Sequence, residues 1–287
     1  MSIKVRAICN WTDSASLNRR IMEQSLWSEA DGITFVDDDS YDWLVVFNDK
    51  RGAEPRVPKE RVIGFIQEPP DHDFFDRGIG AYCSVVYTCT EPQAYGIEGN
   101  LVGFPSGMFY HMDGPLSDYL DGFDKRRVIS MVTSNIAHGF YLFRYKIAKE
   151  LASCGWVDVY GRGLNVRGCK GELGNKADGL IPYKFSVCME NGIWDDYISD
   201  KIIDAVLCRT IPIYVGARNI HEHIPFAIRL ESYGNASFAK AEIEHIVSSV
   251  DYDFILFQMN AWVRKYANEY TIYSKIKNHI YSEKSIS

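Results

Sequence analysis

Short apolar runs recur through the first half of the chain, separated by polar or turn-forming segments. Five of them have the length and the β-branched or aromatic content of strands, at residues 3–9, 33–37, 43–48, 62–67 and 84–88. Between the first two lies a set of apolar positions at helical spacing: Leu17, Ile21, Leu26 and Trp27. This alternation of strand and helix predicts a Rossmann-like domain over residues 1–123.

The same alternation begins again after a polar, acidic connection. Residues 128–133 and 157–160 have strand patterns, and an amphipathic helix is predicted between them at 139–153. Arg144 lies off the apolar stripe of that helix. The pattern therefore predicts a second α/β domain over residues 124–287.

The last part of the second domain is helical and rich in aromatic residues. Its pattern extends over residues 254–281 and includes the aromatic residues Phe254, Phe257, Trp262, Tyr266, Tyr270 and Tyr273. We expect these aromatic side chains to pack across both domains, with the region returning to the first domain.

One stretch, residues 183–216, contains a complete strand, helix and strand unit. Its parts are an apolar run at 184–189, a loop at 192–197, a helical pattern at 200–208 and a second apolar run at 210–215. Ser199 stands at the position of an N-cap for the helix. Such units build parallel sheets, whose ligands bind at the carboxyl ends of the strands.

The first turn of the predicted helix carries Asp200 and then Lys201. A helix N-terminus is electropositive, so an aspartate is favourable there and a lysine is not. A bound anion, such as a phosphate, would explain Lys201. The alternative is an ordinary solvated surface lysine.

Composition limits the kinds of partner. The formal charge of −7 argues against nucleic acid, and a hydrophobic content of 46% excludes a disordered chain. The seven cysteines form no CxxC pattern and lie mostly in apolar runs, so we expect reduced thiols and a cytoplasmic protein without a membrane span. Neither a GxGxxG nor a Walker pattern is present, which argues against nicotinamide cofactors and phosphoryl transfer.

A candidate catalytic residue lies at the end of the predicted strand 62–67. Glu68 follows this strand directly and is itself followed by Pro69 and Pro70, which end the strand and stiffen the loop. A carboxylate held there could act as a general base. His72 and the aspartates beside it could substitute for it or contact an acceptor, and the alternative for Glu68 is a solvent-facing acid.

The central stretch resembles the donor-site motif of the α-1,3-fucosyltransferase family, most closely its soluble bacterial-type members. The matching residues are Glu190-Asn191, Tyr197 to Lys201, and Ile211 to Ile213 with Gly216. The family's usual Thr-Glu-Lys is Ser199-Asp200-Lys201 here, and the shorter acid at Asp200 is the departure that matters. The resemblance implies the GT-B fold, in which two Rossmann-like domains face a central cleft.

The resemblance also implies a reaction and its residues. It implies an inverting transfer of L-fucose from GDP-fucose to a hydroxyl of a glycan, with Glu68 as the catalytic base. Asp200 would contact the ribose or sugar, and Arg144 on its helix would reach the diphosphate. The donor-binding residues expected on this basis are Arg144, Glu190, Asn191, Tyr197, Ser199, Asp200 and Lys201.

Two alternatives stay open at the level of the sequence. Because Asp200 is shorter than glutamate, the donor could be another GDP- or UDP-linked sugar, such as a pentose or deoxyhexose. The chain could also be a non-catalytic nucleotide- or glycan-binding protein. Asp37 to Asp39 invite comparison with a metal-binding DxD motif, but a turn after a strand explains them better, so we expect no required metal or other cofactor.

Overall fold

The computed structural model describes residues 2–105 and 109–284, and they contain two parallel sheets. The first sheet consists of β1 (Ile3–Cys9), β2 (Ile33–Phe35), β3 (Trp43–Phe47), β4 (Val62–Ile66), β5 (Val85–Thr88) and β6 (Leu101–Gly103). Their order across the sheet is β2-β1-β3-β4-β5-β6, and neighbouring strands are parallel. Every residue of β3 and β4 is buried, as expected for a sheet covered on both faces.

Helices α1 (Ser14–Glu23) and α2 (Ile79–Tyr82) accompany this sheet. The side chain of Asp13 caps α1 by accepting a hydrogen bond from the backbone of Ser16. The helix ends at Glu23, so the predicted continuation to Leu26 and Trp27 is wrong. Strand β6 was not predicted, because its three residues lie in a segment that reads as a connection.

The second sheet consists of β7 (Arg127–Ser134), β8 (Asp158–Arg162), β9 (Tyr183–Met189), β10 (Ile211–Val215) and β11 (Ile228–Arg229). Their order is β11-β10-β9-β7-β8, again with parallel neighbours. The helices of this half are α3 (Tyr141–Cys154), α4 (Asp200–Leu207), α5 (Ile220–His223), α6 (Ala236–Ser249), α7 (Tyr252–Lys265) and α8 (Ile272–Lys284). The domain boundary predicted at residue 123 lies in the connection between β6 and β7.

The final helix crosses back to the first sheet. Ile272, Ile276 and Ile280 of α8 are buried in the same apolar cluster as side chains of β1, β3, β4 and β5. On α7, in contrast, Phe254 is 59% exposed and Phe257 is 74% exposed. The prediction is therefore wrong for these two rings, because the face of α7 that carries them points to solvent. Tyr273, however, is buried in the cluster of the first domain, and Trp262 and Tyr266 are buried in that of the second.

The carboxyl ends of the two sheets face each other across a cleft. From the first domain, Asn48 and Glu68 reach this cleft beyond the ends of β3 and β4. From the second domain, Asn191 and Lys201 reach it beyond β9 and at the start of α4. The structure thus confirms the predicted fold, in which two Rossmann-like domains face a central cleft.

Candidate active site

The start of helix α4 is built around a buried carboxylate. The hydroxyl of Ser199 caps the helix by accepting a hydrogen bond from the backbone N–H of Lys201 at 3.3 Å. Glu190, at the end of β9, accepts hydrogen bonds from both the backbone N–H and the hydroxyl of Ser199, the first at 2.9 Å. Glu190 is fully buried, so it fixes the position of the helix start and does not face a cavity.

The neighbouring strand β10 packs tightly against the same carboxylate. The Tyr214 hydroxyl lies 3.4 Å from Glu190 Oε1 and donates to the carbonyl of Tyr197 at 3.1 Å. A Cβ at Gly216 would lie 2.2 Å from that hydroxyl and 2.5 Å from Glu190 Cγ. Gly216 is therefore required here by close packing.

A cavity of about 340 Å³ opens on the second domain beside this helix start. Arg144 and Lys201 give its wall positive charge, and Ser134, Asn191 and Asp200 add polar groups. The N-terminal turn of α4 contributes partial positive charge as well. These features are those of a site for an anion such as a diphosphate.

Arg144 is the most buried cation of this cavity wall, with 5% of its surface exposed. Its guanidinium donates to Asn191 Oδ1 at 3.1 Å and to Ser134 Oγ at 3.2 Å, and Nε has no partner within the described residues. Burial lowers the pKa of the guanidinium, and no carboxylate of the described chain forms an ion pair with it. The prediction that Arg144 lies off the buried face of its helix is wrong, because Arg144 is one turn from the buried Ile147 and Ala148 and shares their face.

Lys201 lines this cavity and also a second cavity, which lies between the two domains. Its ammonium group is 3.2 Å from Ser199 Oγ, 3.4 Å from Asp200 Oδ1 and 3.8 Å from Glu190 Oε2. The side chain is 20% exposed, so the alternative of an ordinary solvated lysine is wrong.

Asp200 is paired within the protein. Lys176 lies 2.8 Å from Asp200 Oδ2 and 2.6 Å from Asp204 Oδ2, one turn further along α4. Although burial opposes ionisation of Asp200, Lys176, Lys201 and His111 hold its pKa well below the ordinary value. Asp204 is fully buried, and burial raises its pKa.

A second cavity, of about 460 Å³, lies between the two domains. Trp11 and Glu68 line it from the first domain, and Tyr197 and Lys201 line it from the second. Glu68 Oε2 lies 3.1 Å from His72 Nδ1, at hydrogen-bond distance, and the side chain of Glu68 is 32% exposed. Glu68 and Lys201 therefore line the same cavity from opposite domains.

The loop of Glu68 is held by the neighbouring strand end. Asn48 adopts a left-handed backbone conformation, with φ of 60°, and its Oδ1 accepts the backbone N–H of Gln67 at 2.8 Å. The Tyr95 hydroxyl donates to the carbonyl of Glu68 at 2.8 Å. These contacts fix the backbone from which the Glu68 carboxylate extends.

The residues predicted from the sequence thus fall into three positions. Arg144, Asn191, Asp200 and Lys201 line the cavity on the second domain. Glu68, Asn191, Tyr197, Asp200 and Lys201 line the cavity between the domains. Glu190 and Ser199 lie behind the helix start, with 0% and 1% of their surfaces exposed.

Three residues that line these cavities were not predicted from the sequence: Lys176, His111 and Arg20. Lys176 belongs to a glycine-rich segment that reads as a loop, and His111 belongs to the connection between the sheets. The spacing of Asp200 and Asp204 signals two carboxylates on one helix face, which require a cation. Which cation meets them is decided only by the tertiary fold.

No group of three or more side chains suited to a metal ion occurs among the residues that the structure describes. The aspartates after β2 form a turn, as predicted: Asp38 accepts the backbone N–H of Ser40, and Asp39 pairs with Arg6 and Arg56. Over the described ranges, no helix combines the length and the apolar character needed to cross a lipid bilayer.

The fold and the cleft define the class of the two-domain, GT-B glycosyltransferases. The family model of glycosyltransferase family 10 (fucosyltransferase), C-terminal part, matches residues 123–279, more than half of the chain. The chain belongs to glycosyltransferase family 10.

Curated relatives match over short segments. The chain is 46% identical over 46 residues to alpha-(1,3)-fucosyltransferase FucT of Helicobacter pylori, a match covering 16% of this chain and 10% of that protein. It is 27% identical over 126 residues to GDP-fucose protein O-fucosyltransferase 3 of Mus musculus, covering 40% of this chain and 25% of that protein. The chain thus matches a quarter or less of the length of these relatives.

Solved structures resemble the fold over most of the chain. A crystal structure of alpha1,3-fucosyltransferase superposes with a TM-score of 0.54 at 17% identity, covering 90% of this chain and 81% of that one. The crystal structure of TarM superposes with a TM-score of 0.51 at 14% identity, covering 82% of this chain and 54% of that one. At this identity, the likeness concerns the fold alone.

Proposed function

We propose that this protein transfers L-fucose from GDP-fucose to a hydroxyl group of a glycan acceptor. Membership of the fucosyltransferase family supports the reaction class, and a structure with the same fold was solved with GDP-fucose. The observation that carries the proposal is the pairing of two cavities, one with Arg144 and Lys201 and one with Glu68, which meet at Lys201.

In the proposed complex the diphosphate lies in the cavity of the second domain. Arg144 presents a planar fork to two phosphate oxygens, while Lys201 and the N–H groups at the start of α4 stabilise the charge that grows on the leaving GDP. Arg144 lines this cavity and forms no ion pair within the described residues, which supports this placement. Because the protein supplies this positive charge, the proposed reaction requires no metal ion.

Glu68 is the proposed general base. It takes the proton of the acceptor hydroxyl, whose oxygen forms a bond to the anomeric carbon while the bond from that carbon to the diphosphate breaks. A single displacement of this kind inverts the configuration of the sugar. The acceptor approaches from the first domain, past Trp11.

The seven unpaired thiols suit a reducing compartment, so the proposal includes a cytoplasmic location.

Asp200 favours a second candidate function with the same fold. Because Asp200 is recessed, the wall of the donor cavity differs from one that carries a projecting acid. Such a cavity would suit another GDP- or UDP-linked sugar, such as a pentose or deoxyhexose. A non-catalytic binding protein is the remaining alternative, and it would bind a donor without consuming it.

A thermal-shift titration against GDP, UDP, CMP and their sugar conjugates tests the proposal, since a ligand that binds only the native state raises the melting temperature. We expect stabilisation by GDP and GDP-fucose, and slow release of fucose from GDP-fucose without acceptor. Preference for UDP supports the second candidate, and binding without any turnover in the presence of glycan acceptors supports the third. Lys201→Met should weaken the GDP response, whereas Lys149→Met, at an exposed position of α3, should not.

A further inference from the structure

His111 lies where three cavities meet. It lines the cavity of about 340 Å³ on the second domain and the cavity of about 460 Å³ between the domains. It also lines a third, of about 600 Å³, beside α1. His111 belongs to the connection between the two sheets and has no role in the function proposed above.

Two carboxylates of α4 hold this histidine from behind. Its backbone N–H donates to the carboxylate of Asp204, at 3.1 Å to Oδ1 and 3.3 Å to Oδ2. Its ring atom Nδ1 lies 3.5 Å from Asp200 Oδ2. The imidazole is nevertheless 57% exposed, and no group of residues 2–105 or 109–284 bonds to Nε2. Nδ1 is thus the ring atom near a carboxylate, and Nε2 is the ring atom without a bonding partner in that part of the chain.

Asp200, in contrast, has little left to offer a ligand. Its side chain is 11% exposed, Oδ2 lies 2.8 Å from Lys176, and Oδ1 lies 3.4 Å from Lys201. In front of this recessed carboxylate stands the imidazole of His111. The polar group that the cavity presents at this point is therefore the histidine.

The surroundings determine which chemical group fits at Nε2. Arg144 and Lys201 lie on one side of the donor cavity, and Glu68 lies in the adjoining cavity between the domains. A sugar nucleotide whose diphosphate is held by the cations and whose anomeric carbon faces Glu68 would bring its sugar or ribose hydroxyls between them. A neutral hydroxyl fits this atom, because it can donate to or accept from Nε2 in either tautomer of the ring.

We propose that His111 Nε2 forms a hydrogen bond with a hydroxyl group of the bound sugar nucleotide, and that Asp200 is a positioning residue that orients the ring. This inference rests on the proposed function, because it requires a nucleotide-sugar donor in the cleft. It differs from the role expected from the sequence, in which Asp200 itself contacts the ribose or sugar.

The test is calorimetric titration of GDP and GDP-fucose into the wild-type protein, His111→Ala, His111→Gln, Asp200→Asn and the double variant His111→Ala/Asp200→Asn. We expect His111→Ala to weaken donor affinity about three- to tenfold, the effect of one neutral hydrogen bond. His111→Gln, whose amide can still bond a hydroxyl, should lose less. Weaker binding of both ligands assigns the contact to the ribose, and weaker binding of GDP-fucose alone assigns it to the transferred sugar.

The double variant separates positioning from direct contact. If Asp200 acts through His111, Asp200→Asn should cost clearly less affinity in the His111→Ala background than in the wild type. An equal loss in both backgrounds, or affinities of His111→Ala within twofold of the wild type, overturns the inference. His245→Ala, at an exposed position of α6, is the matched control and should bind as the wild type does.

Failure of the inference can be told apart from failure of the proposed function. A wild-type protein that binds neither GDP nor GDP-fucose refutes the proposed function itself, and with it the inference. A wild-type protein that binds both while His111→Ala binds equally well refutes only the role of His111. Melting temperatures without ligand verify that each variant is folded before its affinity is compared.

Discussion

Arg144 is a buried guanidinium whose charge is not balanced by a carboxylate of the described chain. Its hydrogen bonds go to neutral oxygens of Asn191 and Ser134, and Nε has no partner there. Removing a charge from water costs free energy unless an opposite charge compensates it. Burial lowers the pKa of Arg144, whereas Glu190 and Asp200 raise it without forming an ion pair with it, so a bound anion would stabilise the buried charge further.

This residue gives a prediction in which stability and binding respond differently. Arg144→Met should weaken the affinity for GDP by about 10- to 100-fold, because charge-assisted hydrogen bonds are lost. The free energy of unfolding without ligand should stay within about 1 kcal/mol of the wild type or rise, since an uncompensated buried charge disappears. Titration calorimetry and urea denaturation measure the two quantities. A variant that unfolds more easily but binds GDP normally would contradict the assignment.

Glu68 gives a prediction about turnover. Glu68→Gln keeps the size of the side chain but cannot accept the proton of the acceptor hydroxyl, so kcat should fall by about 10²–10⁴-fold. The affinity for GDP should change little, because the glutamate lies on the first domain, away from Arg144. Steady-state kinetics and a binding titration check both parts. If kcat of the variant equals that of the wild type, the base is another residue.

Glu190 gives a prediction about pH. Burial raises the pKa of this carboxyl above its ordinary value of 4.5. The folded state therefore holds the proton more tightly than the unfolded state. The contribution of Glu190 to stability is greatest at low pH. It declines as the pH rises above 4.5 and is lost once the pH passes the folded-state pKa. Glu190→Gln does not titrate. The wild type should accordingly lose stability relative to Glu190→Gln as pH rises, in urea denaturation at several pH values, and a pH-independent difference would refute this.

At the scale of elements, the unit from β9 to β10 supports the whole donor side of the cleft. Gly216 ends β10 against Tyr214 and Glu190, and Glu190 holds the start of α4. Because these neighbours are buried and hydrogen-bonded, they cannot move aside without disturbing the helix start.

Gly216→Ala should therefore lower the free energy of unfolding by about 1–3 kcal/mol, the usual cost of overpacking a close contact. It should also weaken GDP binding, because displacement of Glu190 moves the first turn of α4. Gly234→Ala is the control, since a Cβ at that glycine meets nothing within 4 Å. Equal stability of the two variants would show that the site has room to relax.

The same unit shows what a sequence can reveal. Helix α4 was predicted at residues 200–208 and begins at Asp200, because its cap and apolar spacing are local signals. Arg144 precedes the buried Ile147 and Ala148 by one helical turn, so the spacing alone places it on the buried face of α3, although an arginine is expected at the surface. Lys176 and His111 reach Asp200 and Asp204 from distant segments, and no local pattern records such a meeting.

At the scale of the whole molecule, α8 joins the end of the described chain to the first domain. Its isoleucines complete the apolar cluster beneath β1, β3, β4 and β5, and Lys277 pairs with Asp31. The first sheet therefore depends for its stability on a segment that follows the second sheet in sequence.

Ile276→Ala should destabilise the protein by about 2–5 kcal/mol, the cost of a cavity in a well-packed core. The loss should appear as faster hydrogen exchange in β1 and β3, although these strands lie far from Ile276 in sequence. Phe257→Ala, at a position that is 74% exposed, serves as control and should leave both stability and exchange unchanged. Increased exchange confined to the second sheet would refute this account of α8.

The return of α8 also bears on the order in which the protein can fold during synthesis. A ribosome makes the chain from its first residue onwards, so the strands of the first sheet emerge before the second sheet and well before α8. Until Ile272 to Ile280 leave the exit tunnel, the apolar surface that they cover stays open to solvent. The domain made first thus completes its core last, and a nascent chain halted between the two sheets should need protection from aggregation.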